Sequence, residues 1–501
     1  MIARLAFRGL LDRPWRSLFL LTGFGLGVGV MITLLAIGEA MVTQARDEKL
    51  VGGGTVTVLP EGLDIEVMKT GGVGGMFVSI PNARFVYRQV LASPRLADMV
   101  TAVAPQTEGV LLYVRTAGGR EHAVRAMGEV PSATRAVGAA PTLVAGAWVD
   151  DEGDRRWIAP SDAELRHEID RLHVTPSQLT PGESRTWAEW HYFNVLSEDR
   201  RRWAFLTLAV GGDVPDGDWG GQVLLTVHEQ GQPARRFVRE VPARSVRLDT
   251  TRADLELGDD RVEVLPDGRY RVTAHATAER GGARARITLT VSPAPRAYFP
   301  GAAIGGEALV SGYAVPALRA VADGELCIDD RCERFAGAQS YHDHNWGVWR
   351  DVEWEWGASR AGDFTFLYGR VMRGGEDDVA EPLFLYLVDS LGFRALFRPR
   401  VIQYEDTRTA VSPSGERVQV PARAVMIDVR GADTLRVEID VEDAVVSAVR
   451  RVDIGASNEG DTTQARLRRW FVQMKGTARL SGRIRGSVVS GEGTGFFETY
   501  R

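Results

Sequence analysis

The sequence predicts a mainly β protein, with two tandem β-barrels behind a single N-terminal transmembrane helix and a small mixed α/β domain. Three observations predict it. Residues 17–38, SLFLLTGFGLGVGVMITLLAIG, carry no charge and are long enough to cross a hydrocarbon core of about 30 Å. From Trp187 onward, short runs such as WAFLTLAVGG, GQVLLTVHEQ and RVEVLPDGRYRVTAHATA follow one another, with turn residues about every 8 to 12 positions. No helix of comparable length interrupts them up to the C-terminus. A segment that long exceeds one small barrel, so two in tandem are expected.

The elements follow in order. Arg4, Arg8, Arg13 and Arg16 precede the apolar span, and the charges after it are mixed. The positive-inside rule therefore places the N-terminus in the cytoplasm and the bulk of the chain outside, as a single-pass protein of a bacterial inner membrane facing the periplasm. Residues 1–45 form the cytoplasmic tip and anchor. A cleaved signal peptide is the alternative, with Ala36 and Gly38 as small residues at the cut, although the span exceeds an h-region of about 7 to 15 residues. Gly23/Gly27 and Gly25/Gly29 have GxxxG spacing, which would admit a neighbouring helix; Gly is also simply common in membrane helices.

Residues 46–155 alternate β-like runs with turns, as in GGGTVTVLP and in VLLYVRT, AGGRE, HAVRAMG, which read as strand, turn, strand. A helix and linker occupy 156–185. Ser161 and Glu164 have capping-box spacing, Leu165, Ile169 and Leu172 share one apolar face, and His167 and His173 are expected in solvent. The first barrel is assigned to 186–375 and the second to 380–501, with the break at the polar, Gly-rich RGGEDDVAEP, 373–382.

Composition narrows the partners. A net charge of −6 argues against nucleic acid. The two cysteines, Cys327 and Cys332, flank a hairpin turn at Asp329 and Asp330 and would face each other across it. That placement is compatible with a disulfide outside the cytoplasm or with a reduced pair that merely packs, and it is a poor zinc signature.

Four stretches resemble a known family. AEWHYFNVLSEDRRRWAF (188–205), LVSGYAVPALRAVADGELCI (309–328), SYHDHNWG (340–347) and SGEGTGFFETY (490–500) resemble the lipocalin-like family of the carotenoid hydratases (CrtC) and AttH-type secreted proteins. The resemblance covers about residues 185–501. It implies two lipocalin-like barrels with apolar isoprenoid or lipid-like ligands, and it leaves activity open, because the family includes hydratases and members without an assigned reaction. Residues 5–150 resemble the first span and extracytoplasmic core of MacB-type ABC transporter permeases, without the later spans of those proteins. The likeness implies partner permease and ATPase subunits that carry the transport path.

The chemistry concentrates in SYHDHNWGVWRDVEWEW, residues 340–356. On a strand, His342, His344 and Trp346 share one face and Tyr341, Asp343 and Asn345 the other. Trp346, Trp354, Trp356, Tyr368, Tyr341, Trp190 and Tyr192 are the candidate ligand-lining residues. Three roles are open for the stretch: a structural lock, a ligand pocket, or an acid site. In the acid site Asp343 protonates an alkene, His342 or His344 relays the proton, and ring faces hold the developing cation. No metal is assigned, because H-x-H supplies two ligands and no third is evident, and no cofactor is required. The leading expectation is a membrane-anchored protein that binds or hands over an apolar lipid or isoprenoid beside an ABC transport system. The alternative is a cofactor-free hydratase or cyclase of carotenoid or other isoprenoid substrates.

Overall fold

The computed structural model describes residues 14–47, 84, 86–88, 90, 93–96, 98–138, 150–154, 161–173 and 187–500, except 215–216, 250, 305–310, 349–351, 374–382, 413–414 and 449–469. The GGGTVTVLP and LVAGAWV stretches and the linker around Pro176 and Pro181 lie outside these residues. The chain divides into two compact units, 1–78 with 98–158, and 79–97 with 159–501. The expected 46–155 domain is thus interrupted, since 79–97 belongs with the C-terminal unit.

In the first unit, helix α1 (Pro14–Asp47) contains a 24-residue segment, Pro14–Ile37, long and apolar enough to span a membrane, with mean hydropathy 2.2. Leu and Ile drive it, and no acidic residue stands in its first turn. Strands β1 (Gln106–Arg115) and β2 (Glu121–Glu129) form the hairpin that the Gly-Gly turn predicts, and a short helix, α2 (Pro131–Ala136), follows with Pro131 at its start.

In the second unit, helix α3 (Asp162–Ile169) precedes the strands. Ser161 and Glu164 form a reciprocal capping box, and Leu165, Ile169 and Leu172 are buried. Twelve strands then make one antiparallel sheet: β3 (Trp187–Leu196), β4 (Arg202–Gly212), β5 (Trp219–Glu229), β6 (Arg235–Pro242), β7 (Val246–Leu248), β8 (Leu255–Leu257), β9 (Asp260–Val264), β10 (Tyr270–Ala278), β11 (Arg284–Pro293), β12 (Phe299–Ile304), β13 (Ser311–Ile328) and β14 (Arg331–Val348). Because β10 pairs with both β6 and β11, eight of them close a circuit, β3-β4-β5-β6-β10-β11-β13-β14 and back to β3. Closure removes the free edges that an open sheet would expose. The interior is filled by Phe193, Leu206, Phe237, Tyr270, Ile287 and Leu326, among others, all nearly inaccessible.

Nine further strands form the second sheet: β15 (Val352–Ala361), β16 (Phe364–Arg373), β17 (Phe384–Asp389), β18 (Gly392–Phe397), β19 (Gln403–Val411), β20 (Arg417–Arg430), β21 (Asp433–Ala448), β22 (Trp470–Ile484) and β23 (Ser487–Tyr500). Among the described residues their pairing runs as an open path from β18 to β19. The sheets therefore change over between Val348 and Val352, not at 373–382: β15 and β16 pair with β23 and β17 rather than with any strand before 350. The strands on either side of 374–382, β16 and β17, pair with each other.

One face of the second sheet packs on the outer face of the circuit. This intersheet core contains Tyr192, Trp203 and Phe205 from the circuit, Trp356, Leu367 and Phe496 from the second sheet, and Leu165 and Ile169 of α3. The other face of the second sheet holds its own core, around Phe366, Tyr368, Phe397, Met426 and Phe497. Cys327 and Cys332 are directly paired across the β13–β14 hairpin and joined by a disulfide, with Cα atoms 3.9 Å apart.

Candidate functional site

Strand β14 carries the candidate residues, and its pleat sends them two ways. In the antiparallel ladder with β3, His342 lies opposite Phe193, His344 opposite His191 and Trp346 opposite Glu189, while Asp343 lies opposite Tyr192 and Asn345 opposite Trp190. Directly opposed residues share a face. One set therefore enters the closed circuit and the other faces the second sheet.

Inside the circuit, His344 is held between two carboxylates, its Nδ1 2.7 Å from Asp170 Oδ1 and its Nε2 2.9 Å from Glu189 Oε1. Asp170 is the C-terminal cap residue of α3, so the helix delivers it to the mouth of the circuit. The Tyr270 hydroxyl donates to Asp170 Oδ2, and the His173 backbone N–H donates to Glu189 Oε1 at 2.7 Å. His342 and His191 complete the group, stacked respectively on Phe193 and beside His344. Burial lowers the His344 imidazole, but the flanking carboxylates outweigh it and raise the group to about 9. Burial alone would raise Asp170, yet the hydrogen bonds and charges of His342 and His344 hold it well below the usual carboxylate range. Glu189 is likewise lowered, because hydrogen bonds from His173 and His344 overcome its burial. His191 is pushed well below its ordinary value by burial and by the neighbouring His344 charge.

On the opposite face, Asp343 accepts hydrogen bonds from the Tyr341 hydroxyl at 2.8 Å and from Asn345 Nδ2 at 2.7 Å. Tyr341 in turn accepts from the Trp356 indole N–H at 2.9 Å. The ring of Tyr341 packs on Phe496, and Tyr192 packs on both. Glu498 of β23 stands in the same environment and accepts from Gln473 Nε2 at 3.3 Å. Burial pushes Asp343 up to about 6. Burial, and then the charge of Asp343, push Glu498 up to about 8, so at neutral pH this face holds a protonated carboxylic acid. Tyr341 and Phe496 also border a cavity of about 20 Å³, room for a single water molecule. Asn194, Ser359 and Thr365 line it, and Ser359 Oγ and Thr365 Oγ1 have no hydrogen-bond partner within the chain.

The structure thus separates residues that the sequence grouped. Asp343 does not share a site with His342 and His344. Tyr341, Trp356, Trp190 and Tyr192 face the intersheet side with Asp343, the first two bonded to each other. Trp346 instead shares the His344 face and stacks on His173 with ring centroids 3.6 Å apart. Tyr368 lies in the separate core of the second sheet, and Trp354 stacks on Tyr500. His173, expected in solvent, is half-buried under Trp346 because the segment after α3 folds back onto β3. Each histidine of H-x-H has further candidate ligands that the sequence did not show, Asp170 and His191 around His342 and His173 and Glu189 around His344. Glu189 and His191 stand in the AEWHYF stretch and Glu498 in SGEGTGFFETY, so the motif stretches held the missing partners, whereas Asp170 lay outside every motif.

No protein-family model and no curated protein matches the chain. Among solved structures, it is similar to a Nitrosomonas europaea protein described as AttH, with 14% identity and a TM-score of 0.45 over 66% of this chain and 96% of that one. It is also similar to CghA in complex with Sch210972, with 13% identity and a TM-score of 0.41 over 66% and 97% of the two chains. A third similar structure is kievitone hydratase from Nectria haematococca, at 11% identity and a TM-score of 0.38 over 66% and 94%.

Proposed function

We propose that the chain is an acid catalyst of the hydratase or cyclase type, acting on an apolar unsaturated substrate such as an isoprenoid, with the Asp343–Glu498 pair as its proton source. The closed circuit and the second sheet are read as its two lipocalin-like barrels. The carrying observation is the intersheet carboxyl pair itself. Two acids sit among Tyr192, Tyr341, Trp356 and Phe496, and the Trp356–Tyr341–Asp343 chain of hydrogen bonds fixes one of them. Protonating an isolated alkene needs an acid that keeps its proton at neutral pH, and a water-poor aromatic enclosure provides that. The charge of Asp343 raises Glu498, so the titrations of the two acids are linked. Ring faces can hold the resulting cation, at about 0.5 to 2 kcal/mol per ring. On this reading, a water held by Ser359 and Thr365 in the small cavity bordered by Tyr341 and Phe496 would be the nucleophile of a hydration. Substrate entry calls for the two sheets to part along this core.

Helix α1 is read as an anchor that keeps the protein at a bilayer, where apolar substrates partition, with the bulk of the chain in the periplasm. Association with ABC permease and ATPase subunits is a separate proposal that rests on the N-terminal resemblance alone, and co-purification tests it. The test of the acid reading is incubation of the detergent-solubilised full chain with an acyclic carotene in D2O, followed by mass spectrometry. Deuterium on carbon in a hydrated or cyclised product, lost in Glu498→Gln and Asp343→Asn, is expected. Unchanged carotene with intact lipid co-purifying equally with all three proteins would replace catalysis by carriage.

A further inference from the structure

We propose that Asp170, His191 and His342 form a binding site for one divalent transition-metal ion, zinc-like in its preferences, inside the closed circuit. The argument starts from His342. Its Nδ1 lies 3.0 Å from the Tyr192 carbonyl oxygen, which can only accept, so Nδ1 carries a hydrogen and the ring is oriented with Nε2 toward Asp170. Nε2 lies 3.5 Å from Asp170 Oδ2, without a well-formed hydrogen bond. His191 is fully buried, with Nδ1 3.9 Å from Asp170 Oδ1 and the Ala253 backbone as a further hydrogen-bonding neighbour. Buried polar atoms without partners are rare and call for an explanation.

A cation placed here would take one donor atom from each of the three residues. Metal-to-donor distances of about 2.0 to 2.2 Å in a tetrahedral arrangement put donors about 3.4 Å apart, and the three donor atoms here lie within 4.8 Å of one another, so binding would draw them inward. Two imidazoles and one carboxylate suit zinc and its first-row neighbours better than magnesium or calcium, which prefer all-oxygen shells. The surrounding shell is already ordered: the Tyr192 carbonyl orients His342, and His344 and the Tyr270 hydroxyl hold Asp170. His344 itself is excluded as a ligand, since both of its nitrogens are committed to carboxylates. Asp170 comes from the end of α3 and the two histidines from β3 and β14, so the ion would clasp the helix to the circuit.

The full chain, stripped with a chelator and kept in detergent, is titrated with Zn2+ and separately with Co2+. Uptake of one ion per chain, a higher unfolding midpoint with Zn2+ and visible Co2+ absorption bands of a low-symmetry nitrogen and oxygen site are expected. His191→Gln and His342→Gln should each weaken binding about 10- to 100-fold or more, and His228→Gln, outside the cluster, should not. The wild type alone decides if the variants misfold. Less than about a tenth of an equivalent bound, with an unchanged midpoint, would overturn the site and leave the cluster as a proton-sharing network. Binding that survives both histidine variants undiminished would overturn the assignment of ligands.

Discussion

His342 and Asp343 are adjacent in sequence, yet their side chains leave β14 on opposite faces, the first into the closed circuit and the second against the second sheet. Their contacts are therefore separate, and the expectations below divide along that line.

Glu498 makes stability depend on pH. Its carboxyl is raised from the ordinary 4.5 to about 8. Between those values the unfolded chain releases the proton while the folded chain keeps it, so the folded state binds more protons and its stability falls as pH rises. Below pH 4.5 both states are protonated and above 8 both are ionised, so the slope vanishes on either side. Urea unfolding from pH 5 to 8 should show a decline of the order of 1 kcal/mol per pH unit from this group. Glu498→Gln should flatten the decline and raise stability at pH 8.

Tyr341→Phe removes a single oxygen that serves two partners. Asp343 loses a donor and the Trp356 indole N–H loses its acceptor, both in a buried setting. Each orphaned group costs about 1 to 3 kcal/mol. Denaturant titration should therefore report a loss of about 2 to 5 kcal/mol, with the mid-point and not the slope of the transition moving. A loss below 1 kcal/mol would mean that water replaces the hydroxyl.

Gly369→Ala tests the seating of Trp356. A Cβ at position 369 would meet the Trp356 ring at 2.4 Å and Phe384 at 2.8 Å. Overpacking of this kind costs about 1 to 3 kcal/mol. The displaced indole should lose its bond to Tyr341, and a changed near-ultraviolet circular dichroism signal with an unchanged far-ultraviolet signal is the expected result.

Reduction of Cys327–Cys332 should be mild. The disulfide closes a loop with a sequence separation of only 5, for which the chain-entropy argument gives about 2 kcal/mol at most. The flanking strands keep an extensive ladder, with pairs from Gly312↔Trp346 to Ile328↔Arg331. Unfolding with and without reductant should differ by no more than that amount, and loss of the fold on reduction would contradict it.

Local structure was legible in the sequence where it depends on near neighbours. The Ser161–Glu164 cap, the Cys327–Cys332 hairpin register and the alternation that separates Tyr341, Asp343 and Asn345 from His342, His344 and Trp346 all follow from spacings of a few residues. The partners of those residues did not follow. Asp170 is 174 positions from His344 and Glu189 is 155, and their approach depends on which strands close the circuit. Glu498 joins Asp343 only because β23 pairs beside β15. Hydrophobic period specifies a strand and its faces, but strand order depends on closure and packing that no local window contains.

The unbroken ladder between β3 and β14 has a parity. Gln339 to Val348 are matched to Leu196 to Trp187 without a skipped residue. Inserting or deleting one residue between Cys332 and His342 would invert that parity, turning the imidazoles toward the second sheet and the carboxylate toward the circuit interior. A two-residue change would restore the facing and shift the partners instead. Length variation in this strand is therefore expected in even steps, or where a β-bulge such as those in its ladder with β13 absorbs the odd residue.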